Sequence, residues 1–186
     1  MDCRGKKWGD VVISTECPNL AEFHESSGKI RQNSSHSVIR QLRMFIGEYS
    51  HSVDEKGRLA LPVKFRTAFS SGCVVTRGID QCLAVYTAEE WKTLAAKLSA
   101  LPLAQANSRA FSRLMLAGAM DLEPDKQGRI VLPDYLREYG RLGKSVVLAG
   151  LYNRVEIWDK EAWNAYTQRT EAASQDIAEK LGELGV

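Results

Sequence analysis

The sequence lacks most of the features that announce a chemistry. Its four cysteines (Cys3, Cys17, Cys73 and Cys82) form no Cys-x-x-Cys pair and only three histidines accompany them, so no metal site is expected. No apolar run approaches the length that spans a bilayer, and Lys6 and Lys7 are not followed by an uninterrupted apolar segment. Neither a membrane partner nor a secretory signal is expected, and a reducing, cytoplasmic setting is the default. No phosphate loop and no nucleophile–base pair stands out. His51 lies near Asp54 without a nucleophile at suitable spacing, so no catalytic residue, no cofactor and no enzyme activity is expected. Charge of one sign is also missing. The net charge is +2, with seven Lys/Arg against five Asp/Glu in residues 1–43 and 18 of each in residues 44–186. A nucleic-acid binder usually carries a basic surplus. Here a basic surface would have to come from local arrangement or from assembly. The segment 92–118 is an exception, with Lys92, Lys97, Arg109 and Arg113 and no acid.

What the chain does have is a repeat. Asp54-Glu55-Lys56-Gly57-Arg58-Leu59-Ala60-Leu61-Pro62 returns as Asp125-Lys126-Gln127-Gly128-Arg129-Ile130-Val131-Leu132-Pro133 at an offset of 71 residues. Through Arg66 and Arg137, six of 13 aligned positions are identical, among them the turn glycine, the arginine after it and the proline. Each copy predicts a strand, a tight turn started by Asp and closed by Gly, and a return strand forming a hairpin with the arginine just past its tip. Pro62 and Pro133 each predict the first residue of a short helix, through Phe69 and Tyr139. Further strands are predicted at 74–76 and 83–86 around Gly78, and at 146–148 and 155–158 around Gly150. Thr87 to Glu90 reads as a capping box for a helix carrying Trp91, Leu94, Ala95 and Leu98. A helix over about 104–117 follows. Asp159 caps a last helix that holds Trp163 and Tyr166 and frays after Thr170. The offset slips to 72 after the short helix, one inserted residue in a loop.

Each unit of roughly 45 residues is too small to bury an adequate core alone. Two are expected to pair with pseudo-twofold symmetry into one small barrel, which also removes free strand edges. The expected division is 48–91 for repeat one, 92–118 for a helical linker, 119–163 for repeat two and 164–186 for a C-terminal helix and tail. Residues 1–43 are rich in Ser, Asn, Gln, His and Gly without a sustained period, and read as a disordered extension. An alternative is that the native chain starts at Met44, immediately before the first patterned segment.

Phe45-Ile46-Gly47-Glu48-Tyr49, the two Asp-to-Pro copies and Glu156-Ile157-Trp158 together resemble the MraZ family of the AbrB/SpoVT-type DNA-binding superfamily. The resemblance covers residues 44–186. It implies an α+β fold of two AbrB/SpoVT-like repeats forming one pseudo-twofold small β-barrel with flanking helices. It implies a nucleoid-associated regulator of transcription at the bacterial cell-division and cell-wall gene cluster, working as a ring-like homo-oligomer on double-stranded DNA with repeated promoter elements. Arg58 and Arg129 map onto the motif arginines.

Arg58 alternates with Leu59 and Leu61 and so faces away from the core, where its planar guanidinium can fork onto a phosphate or a guanine edge. An ion pair with Asp54 is the plainer reading, and the two are compatible. Arg129 has the same dual reading. Lys56, Lys64 and Arg66 add basic content beside the first copy; each alone could be ordinary solvated surface. Asp134 and Tyr135 stand where repeat one has Val63 and Lys64, so repeat one is expected to face DNA more than repeat two. Asp54, Gly57, Asp125 and Gly128 are expected to build the turns. Trp91 and Trp163 are expected to pack their helices, and Cys73 and Cys82 to be buried small hydrophobes. The competing reading is an oligomeric protein-interaction or structural barrel without direct DNA contact, which the neutral charge of residues 44–186 favours.

Overall fold

The computed structural model describes residues 44–182; both expectations for residues 1–43 lie outside them. Repeat one supplies β1 (Phe45–Ser52), β2 (Arg58–Ala60), α1 (Val63–Arg66), β3 (Cys73–Arg77), β4 (Leu83–Thr87) and α2 (Ala88–Ser99). After α3 (Ala106–Leu116) the order recurs as β5 (Met120–Leu122), β6 (Arg129–Val131), α4 (Asp134–Tyr139), β7 (Ser145–Tyr152), β8 (Val155–Asp159) and α5 (Lys160–Ala172). A further helix, α6 (Ser174–Gly182), follows after Ala173, so the helical chain runs past the fraying point expected at Thr170.

The pairing exchanges strands between repeats. A six-stranded antiparallel sheet runs β1-β7-β8-β4-β3-β5, and a second sheet is the ribbon β2-β6. Swapping each element for its counterpart reverses the first order and leaves the second unchanged. The first strand of each repeat therefore pairs with the third strand of the other. At the centre, equivalent residues face one another: Leu59 pairs with Ile130 and Ala84 with Glu156. The six-stranded ladder is open, ending at β1 and β5.

The hairpins expected around the two turns do not extend as ladders. In repeat one the turn is closed by Gly57 N–H to Asp54 O and Asp54 N–H to Arg58 O, followed by a single Val53–Leu59 bridge. The return strands then pair with each other. This ribbon buries Leu59 and Ile130 completely, and Leu61 N–H donates to Gly128 O as Leu132 N–H donates to Gly57 O. Burial of two equivalent apolar side chains outweighs a local hairpin that would bury one. The turn expected at Gly150 also moves. Gly150 lies inside β7 opposite Gly47, where an added Cβ would come within 2.6 Å of Ile46 N, and the chain reverses at Tyr152, which has φ 62°.

One hydrophobic cluster joins both sheets and both short helices. Phe45 stacks on Phe69 at 4.8 Å and meets Phe65 edge-on at 5.2 Å. Leu136 and Gly140 hold the corresponding positions of repeat two, so the aromatic half of the core belongs to repeat one. Strands β4 and β7 are buried along nearly their whole apolar runs because α2 and α5 cover their outer faces. Strand β5 is short because the chain leaves α3 only at Leu116 and because Pro124 lacks the N–H that Val53, its counterpart, donates to Lys144 O.

Candidate nucleic-acid interface

The two turns are built alike. Asp54 Oδ1 accepts the backbone N–H groups of Lys56 and Arg58, each at 2.9 Å, and Oδ2 accepts Arg58 Nε at 2.5 Å. Asp125 Oδ1 accepts those of Gln127 and Arg129, each at 2.9 Å, and Oδ2 meets Arg129 Nε at 2.8 Å and Nη2 at 2.7 Å. Gly57 and Gly128 turn the chain at φ 73° and 74°, a conformation that side chains with Cβ disfavour. Both carboxyls are held below the ordinary aspartate range, first by the backbone N–H of the arginine four residues on and also by its side chain. The expected ion pair is therefore real, and it fixes each arginine.

Pairing of Leu59 with Ile130 turns those two side chains to the core. Period-two alternation then places Arg58, Ala60, Arg129 and Val131 together on the outer face of the ribbon. Arg58 and Arg129 are diagonal neighbours on that face, about 7–8 Å apart for such a register. Their side chains are 37% and 32% exposed, so each guanidinium is braced by aspartate yet reaches solvent. Lys56, on the first turn, and Lys64, on α1, are both exposed. Arg66 is half-buried: its Nε donates to Leu61 O at 2.9 Å and its shaft lies over Gly128. Its terminal nitrogens have no hydrogen bond among the described residues.

Arg137, the counterpart of Arg66, was missed as a site residue although it is the sixth identity of the repeat. It lies over Gly57 as Arg66 lies over Gly128, so each repeat's short helix braces the other's turn. Its Nη2 pairs with Asp134, and its Nε is buried without a partner among the described residues. A cleft of about 600 Å³ opens beside the first turn, lined among others by Lys56, Arg58, Arg137 and Lys144. Lys144 carried no signal in the sequence, because it sits near the one-residue slip between repeats.

The remaining expectations concern packing. Trp91 packs on Tyr86, and Trp163 lies against Trp158 and Tyr166 with its Nε1 donating to Glu48 Oε2 at 3.1 Å. Cys73 and Cys82 are buried, and burial pushes both thiols up to about 12. Among the described residues no His/Cys/Asp/Glu group could hold a metal ion, and no helix is long and apolar enough to cross a membrane.

The sequence matches a family model described as "MraZ protein, putative antitoxin-like" twice, over residues 44–114 and 115–183. Three curated relatives are each named "Transcriptional regulator MraZ". One from Thermoanaerobacter pseudethanolicus is 48% identical over 143 residues, 77% of this chain and 100% of the relative. One from Carboxydothermus hydrogenoformans is 49% identical over 138 residues, 74% of this chain and 96% of the relative. One from Desulfitobacterium hafniense is 49% identical over 143 residues, again 77% and 100%. With both repeats matched and the relatives covered nearly end to end, the chain belongs to the MraZ family.

Proposed function

We propose that the chain is a sequence-specific DNA-binding regulator of transcription, acting at the cell-division and cell-wall gene cluster from the cytoplasm and nucleoid. The observation that carries this reading is the pair of aspartate-braced arginines side by side on the outer face of the β2-β6 ribbon. A guanidinium held by a carboxylate at one edge keeps its other donors oriented, so ordering it on a phosphate or a guanine edge costs little entropy. The relatives' shared name supports the regulatory role. No catalytic step is part of this reading. We read the open sheet and the ribbon, which share one core, as a pseudo-twofold AbrB/SpoVT-like barrel of two repeats (48–91 and 119–163). The linker 92–118 and the tail from residue 164 flank it. Arg58, Arg129, Lys56, Lys64 and Arg66 form the proposed DNA-facing set, with Asp54, Gly57, Asp125 and Gly128 as its scaffold.

A chain with so little net charge binds one site weakly, so the functional unit is a ring-like homo-oligomer engaging repeated promoter elements through effective concentration. Fluorescence anisotropy on the DNA upstream of the chain's own gene tests this. Binding is expected to require at least two sequence repeats, to fall steeply with salt, and to be lost in a folded Arg58→Ala variant. A folded Arg58→Ala protein that binds as tightly as the parent would refute the role of Arg58.

A further inference from the structure

The basic cleft beside the first turn draws its walls from both repeats. Lys56 and Arg58 come from the turn of repeat one, Arg137 from α4 and Lys144 from the loop before β7. The acids on its wall are Asp54 and Glu55. Asp54 is already occupied by two backbone N–H groups and by the Arg58 guanidinium. The ammonium groups of Lys56 and Lys144 have no carboxylate within ion-pair distance among the described residues. The corresponding place beside the second turn has fewer cations, three against four, although Lys126 replaces Glu55 there and the formal balance is the same. At the repeat offsets Gln127 stands for Lys56 and Gly72 for Lys144, leaving Arg66, Arg129 and Lys126.

We infer that this cleft is a backbone-phosphate site of the DNA duplex, with Lys144 of repeat two as its second free cation opposite Lys56. The inference rests on the DNA-binding reading and extends it. The half of the molecule expected to matter less supplies a phosphate contact to the turn of the other half. The two turns then differ in which cations flank each arginine, since the two arginines are held alike. Lys144 fixes position on the duplex and reads no base, because a lysine ammonium is a point charge without the fork that a base edge demands.

The test compares the full-length parent with Lys144→Ala and with Lys92→Ala, a control at an exposed lysine on α2 outside the cleft. Affinity for the upstream duplex and for a scrambled duplex is measured across a salt series, with far-UV circular dichroism to confirm folding. Lys144→Ala is expected to weaken binding roughly three- to tenfold on both duplexes and to lower the salt slope by about one per engaged subunit. Lys92→Ala is expected to leave both unchanged. A folded Lys144→Ala protein with the parent's affinity and slope overturns the cleft while leaving the DNA reading standing. A loss confined to the upstream duplex overturns the phosphate assignment in favour of base contact. A parent that binds neither duplex at low salt overturns the DNA reading and the cleft with it.

Discussion

At the scale of single residues the two turns look identical, but their glycines are confined differently. A Cβ at Gly57 would lie 2.8 Å from the backbone oxygen of Leu132, whereas at Gly128 it would lie 2.5 Å from the flexible side chain of Arg66. Both alanine variants incur left-handed strain of roughly 1–2 kcal/mol. Gly57→Ala is expected to cost more in urea denaturation, because a backbone carbonyl just past the ribbon cannot step aside as an arginine side chain can. The same measurement against pH should show a loss of stability on the acid side. Burial, and then Arg66, hold the His51 imidazole below its ordinary 6.5, so as pH falls through that value the unfolded chain takes up the proton first and stability declines. His51→Gln should flatten that part of the curve. Asp54 and Asp125 are also depressed, so their contribution stands above the ordinary aspartate value of 3.8 and disappears as pH falls through their lower folded values. Arg58 and Asp54 were legible in the sequence because a turn and an alternating strand are local. The bracing of one repeat's turn by the other's helix was not, since nothing in the spacing of Arg66 and Arg137 says across which gap they reach.

Among the elements, the ribbon is the part most exposed to test. Leu59 is fully buried against Ile130 at the symmetry centre, and Leu59→Ala is expected to cost about 2–5 kcal/mol in chemical denaturation. Such a variant would also loosen both outward arginines, so DNA affinity should fall further than the lost folded fraction explains. The helix caps give a milder comparison. Asp159 accepts two N–H groups of its own helix, from Glu161 and Ala162, and a third from Gly143, while Thr87 accepts one, from Glu90 at 3.3 Å. Replacing Asp159 by alanine is expected to cost about 1 kcal/mol, more than Thr87→Ala does. Element types and order were readable because apolar alternation, caps and Pro-Gly punctuation act over a few residues. Pairing was not: the Asp54–Gly57 turn predicts a local hairpin as strongly as any tight turn does, and only the burial of Leu59 against Ile130, 71 residues away, sends β2 elsewhere. Gly150 misled for the same reason. Its missing side chain serves a close crossing with Gly47, and the sequence records only the absence.

For the molecule as a whole, the exchange of strands makes the repeats mutually dependent. Repeat one without repeat two would leave β1 without β7 and β4 without β8, and its apolar faces open. A fragment of residues 44–114 is expected to give a poorly dispersed amide spectrum, which should become native-like only when residues 115–186 are supplied. The crossed pairing also has a consequence in time. The partner of β1 lies about 100 residues downstream, so at a synthesis rate of roughly 5–20 residues per second the first strand waits on the order of 5–20 s for its ladder. During that interval Phe45, which later stacks on Phe69, and the free edge of β1 are held by nothing from their own sheet. Crowded nascent chains offer each other the same β7, so strand exchange between neighbours on one message competes with closure within a chain. Slower translation between β1 and β7 should therefore raise the share of misassembled protein, and faster translation should lower it.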